Sequence, residues 1–214
     1  MESLQDEVKQ SYADGVLNLL GNRIQKDDIL KRIEDVQSIG SILPEDIAKN
    51  YCLFTEKMLS TRLDDNGNVV LRSDIELLDD NFKSGIIECI TQRVWDNYFY
   101  GIVNPRRDDN PFWIENKICD ILFDLIGSDV ATMVFFLNPG LMIERLQEIS
   151  YKDGNLLDYL NKHIGEVKFT GFGIRKDNIG SSSEIVNCVE AISDCSQKLC
   201  ISLNENEVDD NKSY

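Results

Sequence analysis

The chain has 214 residues, 42% of them apolar and 28% charged, and 38 acidic against 22 basic side chains leave a formal charge of −16. That length fits one ordinary domain, or two small ones, with a full hydrophobic core. The charge repels phosphate backbones and anionic lipid heads, which argues against nucleic-acid and membrane partners and favours a basic protein.

The opening MESLQDEVKQ has neither a basic n-region nor an apolar h-region, and the longest apolar run, VATMVFFL at 130–137, is too short for a bilayer span. The expected setting is cytoplasmic, or nuclear in a eukaryote, with the six cysteines reduced. Helical spacing links Leu4, Val8, Val16, Leu19 and Leu20, then Ile29, Ile33, Val36 and Ile39, then Ile47, Tyr51, Phe54, Met58 and Leu59. Three helices are therefore predicted before residue 60.

RLDDNGNVVLRSD, 62–74, resembles the front of a calcium loop. With Gly67 in the sixth place, however, Arg62 stands first and Ser73 twelfth, so the first carboxylate and the closing bidentate glutamate are both missing. Asn66-Gly67 instead predicts a type I′ hairpin turn between strands Ser60–Leu63 and Asn68–Arg72, with positive φ at both central residues.

Phe82, Ile86, Ile90, Val94 and Tyr98 follow at four-residue steps and predict a long helix from Ile75 to Tyr100, with Tyr98 in the core. After GIVNPRRDDNP a further helix carries Ile114, Ile118, Ile121, Leu122 and Leu125 to Gly127. Asn110-Pro111 and Asn138-Pro139 read as an N-cap followed by the first helical residue. Shorter helices are expected at Asp129–Leu137, Pro139–Ser150 and Asn155–Ile164, and an extra strand near 166–174. A capping box from Ser181 to Glu184 opens a last helix through Ile185, Val189, Ile192, Cys195 and Leu199. The fold class is mainly α: a single-domain multi-helix bundle of about eight helices over residues 1–203, one short hairpin near 60–72, and an acidic flexible tail at 204–214.

Chemistry finds little foothold. Asp-Asp pairs at 27–28, 64–65, 79–80, 108–109 and 209–210 suit helix starts and turns. His163, the only histidine, has no recognisable nucleophile partner and reads as a helix-ending residue, so function should tolerate its loss. The cysteines contain no C-x-x-C pair and read as buried apolar thiols. Gly171, Gly173 and Gly180 fit neither phosphate-loop pattern, since Lys176 takes the place of the third glycine. No catalytic residue, metal ligand or cofactor is expected.

The segment 95–113 gathers aromatic residues around two arginines, and Tyr100, Arg106, Arg107 and Trp113 are the candidate partner-binding residues. The expected function is a non-catalytic protein-binding protein, an acidic inhibitor or antitoxin- or immunity-like neutraliser of a basic partner protein. The alternative is a structural subunit or adaptor of a larger assembly, with an enzyme third; homo-oligomerisation is open.

Overall fold

The computed structural model describes residues 4–105, 112–167 and 179–200. Among these the chain is mainly α, as the apolar spacing predicts, with ten α-helices and two small antiparallel β pairs. The helices are α1 Leu4–Leu20, α2 Lys26–Arg32, α3 Pro44–Ser60, α4 Asp80–Tyr98, α5 Trp113–Ile126, α6 Ser128–Leu137, α7 Pro139–Glu148, α8 Leu156–Gly165, α9 Ile179–Asp194 and α10 Ser196–Cys200. Strands β1 Thr61–Leu63 and β2 Val69–Leu71 form the expected hairpin, and β3 Ser150–Tyr151 pairs with β4 Gly154–Asn155. No described helix is long and apolar enough to cross a membrane. The expected tail, and all but the first two residues of the extra strand expected near 166–174, lie outside the described residues.

The chain divides into two compact units, Met1–Ser73 with Ile90–Asn110, and Asp74–Cys89 with Pro111–Tyr214. The core of the first is aromatic. Tyr12, Tyr51, Phe54 and Trp95 are buried, and the Tyr12–Tyr51 and Tyr51–Trp95 rings meet edge to face with centroids 5.2 and 5.6 Å apart. Each phenol keeps a polar partner: Tyr12 shares a 3.1 Å hydrogen bond with the Thr55 hydroxyl, and Tyr51 donates to Ser11 Oγ at 2.9 Å. Gly15 lets α1 approach closely, since a Cβ there would lie 2.8 Å from the carbonyl oxygen of Val94.

Three sequence expectations change in this unit. The helix expected through Ile39 ends at Arg32. Arg32 is buried and donates to the carbonyls of Met58 and Thr61, while Arg72 Nε donates to Thr61 O at 3.1 Å, so two guanidinium groups cap the end of α3. The chain after α2 is held by side chains instead: Lys9 reaches Glu34 O, Gln5 reaches Ser38 O, and buried Asn50 bonds both the N–H and the C=O of Ile39, at 2.8 and 2.9 Å.

The hairpin turn is not type I′. Gly67 has φ +74, but Asn66 is not among the positive-φ residues. Gly67 N–H donates to Asp64 O at 2.8 Å and Asp64 N–H to Asn68 O at 2.9 Å, the pattern of a type I turn followed by a left-handed glycine. The Asp64 carboxylate explains the choice, because its Oδ1 accepts from the amides of Asn66 and Asn68 at 2.9 and 2.7 Å. Finally, Tyr98 is 41% exposed rather than core.

In the second unit α5, α6 and α7 pack in sequence, and α8 lies against α7 and α9. Phe82, Ile86, Leu122, Phe123, Phe135, Phe136, Leu146 and Leu160 are fully buried there, with Phe123 stacked on Phe135 at 5.1 Å. Asp79 starts α4, its Oδ1 accepting from Asn81 N–H at 2.9 Å. Asn138 precedes Pro139 as expected, but its side chain makes no capping bond. The last helix expected, from Ser181 through Leu199, is divided into α9, Ile179–Asp194, and α10, Ser196–Cys200, and Ser181 and Glu184 lie within α9 rather than at its start. Cys188 and Cys195 are buried, as their place on the apolar stripe implies, and burial pushes the Cys188 thiol up to about 12.

Two predictions follow from these cores. Gly85→Ala would place a Cβ 2.8 Å from the backbone of Glu115; it should lower stability in urea unfolding by about 1–3 kcal/mol through overpacking. Burial holds the Tyr12 and Tyr51 phenols well above their ordinary value of 10.0. Above that pH the unfolded state has released protons that the folded state retains, so stability should fall as pH rises, by about 1.4 kcal/mol per pH unit for each phenol. Tyr12→Phe should lessen that slope by one phenol's share in urea unfolding across the same range, and an unchanged slope would refute the assignment.

Candidate functional site

The end of α4 presents apolar side chains to water because its backbone is tied down while its side chains are not. Trp95 is buried and its indole N–H donates to Ile102 O at 2.8 Å; Ile102 N–H donates to Phe99 O at 2.9 Å. Gly101, at φ +79, reverses the chain between them. These bonds fix residues 99–102 as a turn, and Asn104 is again buried. What remains outside is Tyr98, Tyr100, Ile102 and Val103, all exposed, with Tyr100 at 94%. Tyr98 stands edge-on to Phe99, ring centroids 4.8 Å apart, so part of this surface is braced from beneath. Four large apolar residues are thus exposed within six consecutive positions, 98–103.

Tyr100 therefore occupies the exposed place expected of it. Arg106 and Arg107 lie outside the described residues, and of Trp113 only the backbone, the first residue of α5, is described. Ile102 and Val103 were missed in the sequence because they follow the last helical position and fit no period.

A second arrangement, in the other unit, was not legible either. His163 does sit in the last turn of α8, but its Nδ1 meets the carboxylate of Glu184 on α9, 21 residues away. Both side chains are largely buried, at 13% and 16% exposure. The hydrogen bond to His163 holds the Glu184 carboxyl below its usual range. The Tyr159 ring lies 4.2 Å from the imidazole and is edge-on to Tyr151 at 4.8 Å. Lys152 Nζ lies 4.5 Å from the Tyr159 centroid and donates to its hydroxyl at 2.8 Å.

The calcium-like sequence at 64–68 makes no comparable cluster. Asp64 is engaged by Asn66 and Asn68, with Asn68 Nδ2 also 3.2 Å from its Oδ2. The Asn68 backbone N–H is the main cause holding this carboxyl below its usual range. Of the other acidic pairs, Asp27 and Asp28 occupy the first turn of α2, where they face the positive end of the helix dipole.

No protein-family model, curated protein or solved structure matches the chain.

Because the Asp64 oxygens serve the turn, Asp64→Ala should speed hydrogen exchange at the Asn66 and Asn68 amides while calcium leaves the wild-type exchange unchanged. Stoichiometric calcium uptake in calorimetry, lost in Asp64→Ala, would overturn this reading.

Proposed function

We propose that the protein works by binding another protein, as an acidic inhibitor or neutraliser of a basic partner, and that the segment from Tyr98 to Val103 is the apolar anchor of the contact. The observation that carries the reading is the exposure of Tyr98, Tyr100, Ile102 and Val103 on a turn whose backbone is already held by Trp95. A preformed turn reduces the ordering cost of association, and aromatic side chains at the centre of an interface carry a large share of binding energy. The charge of −16 supplies the second part of the reading, since a long-range field of one sign accelerates encounter with a surface of the other. Arg106 and Arg107 remain part of the proposed contact, next to the anchor in sequence.

The same apolar patch also suits a permanent subunit or adaptor interface, and ionic strength separates the two. Capture of the partner from native lysate, followed by surface plasmon resonance at two salt concentrations, provides the measurement. Tyr100→Ala with Ile102→Ala should raise the dissociation rate at least about tenfold, a loss of roughly 1.4 kcal/mol. Arg106→Ala with Arg107→Ala should act in the same direction. The association rate should fall as salt rises; salt-independent association would favour the assembly subunit. Dissociation as slow as wild type in both double variants would remove the anchor from this segment.

A further inference from the structure

We propose that His163, Glu184 and Glu166 form a binding site for a divalent transition-metal ion of the zinc type. Among the described residues this is the group whose donor atoms converge: one imidazole nitrogen and two carboxylate oxygens, all within 4.8 Å of one another. His163 and Glu166 are three apart at the end of α8, the step that brings two side chains over the same turn. Glu184 arrives from α9, which packs along α8.

The donor set selects the ion class. Calcium and magnesium take oxygen shells, whereas an imidazole nitrogen suits zinc and its neighbours in the transition series. Two carboxylates supply two negative charges against the ion's two positive charges. Three protein ligands leave a fourth tetrahedral position open to water or another small ligand, the composition of an open rather than a closed zinc site.

Tetrahedral ligands at zinc–ligand bonds of about 2.0–2.1 Å stand about 3.4 Å apart. His163 Nδ1 and Glu184 Oε2 are closer than that, held by a shared hydrogen. The ion would take the place of that hydrogen, with the ring proton on Nε2, and the two groups would move slightly apart. Glu166 is exposed at the C-cap of α8, so its carboxylate can swing inward without repacking.

The surroundings hold the imidazole in place. Tyr159 packs on its ring, Tyr151 packs on Tyr159, and Lys152 is drawn to the phenol oxygen rather than to the carboxylates. Lys152 has φ +48, the left-handed conformation that a side chain of its kind rarely adopts, so the β3–β4 turn that carries it is strained. A histidine braced on one side by an aromatic ring and met on the other by a carboxylate is held as a metal ligand pair requires.

Metal-stripped full-length protein titrated with zinc in a calorimeter tests the proposal. One ion per chain is expected, along with a rise in the thermal midpoint. Cobalt in place of zinc should give d–d absorption without the sulfur-to-metal charge-transfer band that cysteine ligation would add. His163→Gln should abolish stoichiometric uptake. Glu166→Gln changes an exposed side chain and should fold as wild type does, yet bind zinc at least about tenfold more weakly. Excess magnesium should not displace the ion. The proposal is overturned if the wild type takes up no stoichiometric zinc, if cobalt reports thiolate ligation, or if Glu166→Gln retains wild-type affinity.

Discussion

Phe82, Ile86, Ile90 and Val94 lose all contact with water along α4, whose residues 85–91 are all buried, and both compact units depend on that burial. The first two residues belong to one unit and the last two to the other. Fully burying four such side chains contributes on the order of 6–12 kcal/mol before entropy is counted, comparable to the whole net stability of an ordinary domain. The glycines at close helix approaches serve the same demand. Gly85 gives the first half of α4 access to the Glu115 backbone, and Gly15 brings α1 against Val94 in the second half.

Around these cores, buried polar groups hold what helices do not. Asn50 uses its amide as a substitute peptide, closing both backbone bonds of Ile39 in a stretch without regular structure. Arg32 and Arg72 meet the carbonyls at the end of α3, where helix geometry leaves acceptors unpaired. Buried polar groups of this kind cost free energy unless paired, so each one ties a particular segment to a particular place.

The sequence makes the helices visible and their ends much less so. Spacing reveals α1, α3, α4 and the run from α5 to α8 because burial of one face imposes the period. The error at Tyr98 comes from the same rule applied too far. Four residues turn an α-helix through about 400°, so a strict four-residue stripe drifts about 40° per step and about 160° from Phe82 to Tyr98. Trp95 takes the buried place instead. Ile33 closes α2 as its C-cap, but Val36 and Ile39 fit a helical period by coincidence, and the distant Asn50 that holds Ile39 leaves no local signal. Asn66-Gly67 marks the hairpin but not its turn type, because the deciding group is the Asp64 carboxylate two residues earlier. Tyr100 is exposed because it lies in the turn beyond the end of α4, which the helical period does not mark. The meeting of His163 with Glu184 is not legible, since only the packing of α8 against α9 brings together residues 21 apart.

The order of residues in the first unit has a consequence for synthesis. Tyr12, Tyr51 and Phe54 leave the ribosome well before Trp95 and Phe99, because residues 55–94 are translated in between, and among them 74–89 belong to the other unit. At about 5–20 residues per second the growing chain spends seconds with one side of its aromatic cluster uncovered. That interval is when a nascent chain of this topology is most open to chaperones and to its own neighbours on a polysome. The lag is set by the path of the polypeptide, and no change in core packing would shorten it.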